Sequence, residues 1–210
     1  MFDTVAAGHC DPRATLDGQV RLPASGGSWF DDGEEQADRL STALSGALPM
    51  QPTSSPDIGV YLDDATGTKV DYYVDYVVRL EPLSCTGSGA QKQRVIVTVT
   101  SNVPADAAAA LPPSILGSSR PAGWLLTSLC IYAPVDGVFG SATLGGRTFL
   151  YAPYQHGVRA VAGATIELEP GQTRTMTYHV TSAPNQPGDP TCVSPGVHGS
   201  GTAQAGESDC

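Results

Sequence analysis

The chain has 210 residues and a formal net charge of −10, from 11 Lys plus Arg against 21 Asp plus Glu. Such acidity offers no electrostatic footprint for nucleic acid and no basic cluster for anionic lipid, so its plain reading is solubility. With 15% charged residues, 24 Gly and 17 Pro, the composition favours a β-rich extracytoplasmic protein over a helical cytosolic enzyme.

Residues 1–30 mix apolar and turn residues, hold no readable element, and end in the loop ASGGSW that carries Trp29. Residues 31–48 predict a short amphipathic helix. Asp31 or Asp32 caps it, Glu34 and Glu35 sit in its first turn, and Ala37, Leu40, Ala43, Leu44 and Ala47 fall at helical spacing before Pro49 stops the run. The Pro/Ser connector QPTSSPD then divides the chain into an N-terminal segment 1–56, a β-sandwich 57–183 and a Pro/Gly/Ser-rich tail 184–210.

Residues 58–62 read as a short strand and 63–67 as a turn. From Val70 the even positions are Val70, Tyr72, Val74, Tyr76, Val78 and Leu80, while Asp71, Asp75 and Arg79 lie on odd ones. That alternation predicts a long strand with one apolar and one wet face, Tyr72 and Tyr76 inward and Tyr73 outward. Further strands are expected where Val95, Val97 and Val99 alternate, and in WLLTSLCIY (124–132), which is apolar on both faces and so placed centrally. Gly145-Gly146 marks a hairpin between 137–144 and 147–151. Pro170-Gly171 joins a strand with Ala164, Ile166 and Leu168 inward to one with Arg174, Met176, Tyr178 and Val180 inward. The run 107–110 fits one helical turn, ended by Pro112 and Pro113, and the tail offers at most one edge strand, near 192–197. The whole predicts a mainly β chain, an immunoglobulin-like antiparallel β-sandwich of about seven to nine strands with a short N-terminal helix.

No run of 18 apolar residues is present, and residues 1–25 lack the charged and apolar regions of a signal peptide. Five cysteines, Cys10, Cys85, Cys130, Cys192 and Cys210, nevertheless stand without metal-type spacing, which points to disulfides and an oxidising compartment. Together these predict a piece of a longer secreted protein.

Catalytic motifs are missing: no G-x-S-x-G elbow, phosphate loop, H-E-x-x-H or paired zinc cysteines. His9, His156, His179 and His198 are scattered. Asp63, Asp64, Asp71 and Asp75 form the densest acidic group. They read either as a calcium site at the sandwich mouth or as turn residues plus a solvated strand face, where Asp75 and Arg79 form a weak exposed pair. Tyr61, Tyr72, Tyr73 and Tyr76 read as a sugar-stacking platform, but Tyr72 and Tyr76 fall on the inward register and are better explained by packing; Tyr73 points outward and, with Trp124 and Trp29, reads equally as a ligand contact or as packing. No catalytic residue and no cofactor is assigned.

The stretch DIGVYLDDATGTKVDYYVDY (57–76) resembles the C-terminal part of the envelope proteins known as domain of unknown function 4012, found mainly in actinobacteria and other Gram-positive bacteria. The family pattern V-G-V-Y-x-N-D-x-x-G-S-K-x-D-Y-Y-L is met here with Asp63 for Asn and Thr68 for Ser; Gly67, Lys69, Asp71, Tyr72 and Tyr73 are its most specific part. VTVTSNVPADAAAALPPSILG, LCIYAPVDG and LEPGQTRTMTYHV extend the similarity, as do Glu35-Gln36 and GALP upstream. The resemblance implies a membrane anchor and a larger extracytoplasmic domain ahead of this region, and carries over no catalytic residue. It also implies a Cys85–Cys210 bridge. On that placement Cys130 and Cys192 are the remaining pair, with Cys10 free or bonded elsewhere.

The expected function is therefore a non-catalytic extracytoplasmic module, structural or interacting, of a membrane-anchored cell-envelope protein. Its partner would be another envelope or surface protein or a glycan, without nucleic acid and without membrane insertion by this region. One alternative is a carbohydrate-binding module using Tyr73, Trp124 and the acidic group. Another is an accessory domain of an envelope-polymer assembly enzyme, marked by His179 converging with carboxylates in a pocket.

Overall fold

Side chains alternating with a period of two build nearly everything in the computed structural model, which describes residue 48 and residues 52–66, 68–117, 120–193 and 201–205. Among the described residues eleven strands follow one another: β1 (Asp57–Asp64), β2 (Val74–Cys85), β3 (Gln91–Ser101), β4 (Leu125–Tyr132), β5 (Val138–Leu144), β6 (Arg147–Thr148), β7 (Ala152–His156), β8 (Arg159–Leu168), β9 (Thr173–Thr181), β10 (Thr191–Val193) and β11 (Gly201–Ala205). One-turn helices α1 (Ala107–Ala110) and α2 (Pro113–Leu116) interrupt them. The N-terminal helix expected over 31–48 falls almost wholly outside the described residues.

The strands form two sheets, ordered β10-β1-β4-β8-β7 and β11-β2-β3-β9-β5-β6. This is the expected immunoglobulin-like β-sandwich in architecture, with the β2–β3 hairpin kept within one sheet. Between the sheets Ile58, Val60, Leu129, Ile131, Ile166 and Leu168 of the first meet Val78, Leu80, Val95, Val97, Met176 and Tyr178 of the second, all fully buried or nearly so. Each such aliphatic side chain contributes about 1.5–3 kcal/mol by leaving water. As expected, β4 is central, between β1 and β8. At the Gly145-Gly146 turn both residues have positive φ (56° and 80°), the backbone a two-residue hairpin needs to match strand twist.

Three expectations change. Val70–Tyr73 is a 3-10 turn, and the strand begins at Val74. The reason is topological: β1 and β2 belong to different sheets, so the chain must cross between layers there. At the three-residue repeat of such a turn Val70 and Tyr73 share a side, so Val70 is fully buried and Tyr73 packs on the core, leaving Tyr72 outward at 61% exposure. Second, the tail supplies two strands. β10 pairs parallel with β1 and β11 parallel with β2, so both otherwise open edges are covered by the same segment. This, with the short β6 and β7, raises the strand number above the expected range. Third, the helical turn expected over 107–110 forms as α1 and stops before Pro112, but Pro113 then opens a second turn, α2, because at the first position of a helix its missing N–H costs nothing.

The connector before β1 is also stitched into the sandwich. Thr53 Oγ1 donates to Asp57 Oδ2 (2.7 Å), Gly188 N to Ser54 O (2.9 Å) and Gln186 Nε2 to Thr53 O (3.3 Å).

Candidate functional site

The crossover from β1 to β2 places the K-x-D-Y-Y segment at one end of the sandwich, where three loops meet. Lys69 N donates to Ile115 O of α2 (3.1 Å), Asn102 N to Tyr73 O (2.8 Å) and Ser101 N to Gln172 O of the β8–β9 turn (2.9 Å). Gly123, at φ 81° in the connection from α2 to β4, packs so tightly that a Cβ there would lie 2.8 Å from Ala107, 2.9 Å from Val103 and 3.1 Å from Pro170. On this anchored end Tyr72 stands out beside exposed Lys69. Its ring meets that of Tyr73 edge-on at 5.4 Å, a contact that holds the exposed ring in place.

The roles expected of the two tyrosines are thus exchanged, Tyr72 being the solvent-facing ring and Tyr73 the packed one. Tyr76 is buried as expected, and Trp124 is half-buried just before β4. Tyr61 lies on the outer face of the first sheet, edge-on to Tyr132 at 5.4 Å, so it belongs to no platform with the others.

The structure does not gather the acidic residues. Asp64 shapes its own turn: Oδ1 accepts from Thr66 N (2.8 Å) and Thr66 Oγ1 (2.6 Å), and Oδ2 from Thr68 Oγ1 (3.1 Å). Asp63 alternates to the opposite face of β1. Asp75 lies on the other sheet and accepts from Asn102 Nδ2 at 2.6 Å. Among the described residues no three metal-ligating side chains converge. The expected Asp75–Arg79 pair is replaced by a fork, Arg79 Nε to Glu81 at 3.0 Å and Arg94 to Glu81 at 2.8 Å. Glu81 wins because it lies on the same face as Arg79 and directly opposite Arg94.

His179 lies on the outer face of the second sheet, its Nδ1 3.1 Å from Ser141 Oγ, opposite Arg94 in the ladder. His156 is on β7 in the first sheet, its ring 5.8 Å from that of Tyr132. The two histidines therefore sit on different sheets.

Sequence reasoning missed Arg159. Only 1% exposed, it donates from Nη1 to Asp57 O (2.8 Å) and Ala133 O (2.7 Å). Burial pulls its pKa down, opposed by the nearby Asp57 carboxylate and Tyr61. Asp57 in turn accepts from Thr53 and Thr191. A lone Arg opening an apolar strand gives no signal of this in the sequence.

Cys192 is a free thiol, which corrects the expected Cys130–Cys192 pair. Cys192 stands opposite Ile58 and packs on the inner core, whereas Cys130, two strands away, stands opposite Tyr61 on the outer face. Two ladder spacings of about 4.8 Å and opposite faces put them beyond the reach of a disulfide. Cys85 and Cys130 are disulfide-bonded, and no bridge joins two described residues. Cys210 and Gly67 of the expected assignments lie outside the described residues, as does the Asp71 side chain.

No family model and no curated protein matches the chain. Among solved structures it is similar to a protein of Legionella pneumophila described as nutrient-binding, with 8% identity, a TM-score of 0.37, and coverage of 63% of this chain and 46% of that one. An M1 zinc metallopeptidase from Deinococcus radiodurans matches with 14% identity and a TM-score of 0.25, over 51% of this chain and 20% of the enzyme. The chain thus spans less than half the length of either.

Proposed function

We propose that this chain is a non-catalytic interaction module of an extracytoplasmic cell-envelope protein, and that it engages its partner through the end bearing Tyr72. The observation that carries this reading is the 61% exposure of Tyr72 on a turn tied by backbone hydrogen bonds to α2 on one side and to Asn102 on the other. A large amphipathic ring, already ordered, loses little entropy on binding, which is why such residues anchor interfaces. The oxidised state of Cys85 and Cys130 supports an oxidising compartment. The resemblance of the K-x-D-Y-Y stretch to domain of unknown function 4012 supports the envelope and a membrane-anchored parent. The same ring suits the face of a sugar, so glycan recognition is the second reading, with Tyr72 in the role first given to Tyr73. Trp124, half-buried, is a lesser candidate. Binding of the purified chain to isolated cell-wall fragments, with and without their proteins stripped, tests the proposal and separates a protein partner from a glycan. Equal binding by native chain and Tyr72→Ala would overturn it.

A further inference from the structure

β10 and β11 close one side of the sandwich; the other side ends on β6 in the second sheet and on β7 in the first. The second sheet is blunted there. β5 carries a bulge between Phe139 and Ala142, Phe149 N donates to Ala142 O (3.1 Å), and Tyr151 Oη donates to Gly140 O (3.1 Å). β7 has no such guard. None of its five residues is Asp, Glu, Lys or Arg, and Ala152, Pro153, Tyr154 and Gln155 are exposed. We propose that β7 is a dimer edge, on which a second copy of the chain lays its own β7 antiparallel about a two-fold axis at Gln155. The two five-stranded first sheets then become one continuous sheet.

The ladder between β7 and β8 fixes which backbone groups point away from the sheet. His156 and Arg159 face each other across the two-residue turn Gly157-Val158, so they exchange both of their N–H···O bonds. By alternation Tyr154–Val161 and Ala152–Gly163 do the same. Gln155 and Pro153 fall between these pairs, as a proline without an N–H must, and their backbone groups turn outward. Among the described residues no hydrogen bond reaches those groups. A two-fold axis at Gln155 sets Gln155 opposite Gln155, Pro153 opposite Gly157, and Tyr154 opposite His156. The central pair exchanges two bonds, and on either side Gly157 N donates to Pro153 O. The Gly157 carbonyl that meets the missing proline N–H already accepts from Gln155 Nε2 (3.0 Å). Pro153 therefore costs this register no bond.

The side chains select a second copy as the occupant, because the edge is complementary to itself. Tyr154 and His156 lie on the outer face of the first sheet, His156 with its ring 5.8 Å from that of Tyr132. Pairing puts each Tyr154, 41% exposed, beside His156 of the other copy at a non-hydrogen-bonded position, where cross-strand side chains come closest. Leu150, 96% exposed, precedes the strand, and Val158, 43% exposed, follows it. Antiparallel packing brings each copy's Leu150 toward the other's Val158, so both are shielded from water. Residues 150–158 hold no charged side chain, so two chains of net charge −10 meet along a neutral line.

Sedimentation of the purified chain over a range of concentrations tests the proposal, and the expected result is a reversible monomer–dimer equilibrium. Gln155→Pro removes the two central donors and touches no bond to β8. Its urea midpoint should match the native one while the dimer dissociation constant rises about tenfold or more. A double variant, Tyr154→Cys with His156→Cys, tests the register without relying on Gln155→Pro: the facing positions are about 4.5 Å apart between Cα atoms, so mild oxidation should give a covalent dimer. A chain that stays monomeric at every concentration overturns the proposal, leaving the edge to a strand of another protein or of another part of this chain. A dimer that folded Gln155→Pro leaves as tight, or a double variant that forms no covalent dimer, overturns it as well.

Discussion

Arg159 Nη1 donates to the carbonyl oxygen of Asp57 at 2.8 Å, joining β8 to β1 although β4 lies between them. Its second bond, to Ala133 just past β4, makes one guanidinium the tie across three strands. The Asp57 carboxylate extends the tie to Thr53 and Thr191, and so to the connector and β10. Replacing Arg159 with Leu would leave two buried carbonyls without that donor. We expect Arg159→Leu to cost about 3 kcal/mol, and Arg159→Lys a substantial part of it because a single ammonium fits the two-carbonyl geometry poorly. The midpoint of urea unfolding, at unchanged slope, measures both.

Gly123→Ala should destabilise the Tyr72 end. The substitution adds the strain of a left-handed backbone to a clash with Ala107, Val103 and Pro170. Together these cost about 3 kcal/mol. Gly145→Ala carries the backbone strain with no neighbour within 4 Å, so it should cost less than half as much. Equal losses in chemical denaturation would remove the packing argument.

Tyr72 and Tyr73 separate function from stability. Tyr73→Ala removes a ring packed on the core and should cost about 2 kcal/mol. Tyr72→Ala removes an exposed ring, should cost no more than about 0.5 kcal/mol, and should still weaken partner binding. Thermal melts of the two variants check the order.

Burial pushes the Cys192 thiol up from its ordinary 9.0 to about 12. Below pH 9 the thiol is protonated in both folded and unfolded chains, and its contribution is complete. Between 9 and 12 the unfolded chain releases the proton while the folded one keeps it, so stability falls as pH rises, by at most about 1.4 kcal/mol per pH unit. Buried Tyr61 and Tyr178 are shifted upward too and add the same sign above pH 10. Cys192→Ala should therefore flatten the decline between pH 9 and 10, as read by urea midpoints across that range. Native Cys192 should also resist iodoacetamide at pH 8.

Strands, turns and most inward residues were legible because a half-buried strand must alternate: Val95–Val97–Val99 and Tyr178–Val180 fell where the pattern placed them. The crossover at Val70–Tyr73 was not, since one 3-10 turn inside an alternating run leaves Val70 apolar and buried under either reading. Strand alternation could not register the exchange of Tyr72 and Tyr73 for the same reason. The acidic group looked dense because Asp63, Asp64 and Asp75 are near in sequence, yet alternation and the change of sheet send them apart. β10 and β11 were hidden by a Pro/Gly/Ser-rich tail, whose strands are set by the open edges of β1 and β2 more than by their own composition.

The proposed interaction end is tested most directly by equilibrium binding of the purified chain to isolated cell-wall fragments, comparing native protein with Tyr72→Ala. Saturable binding that Tyr72→Ala weakens about tenfold, with Thr175→Ala on the outer face of the second sheet unchanged, is the predicted result. No saturable binding, or binding that Tyr72→Ala leaves intact, would contradict it.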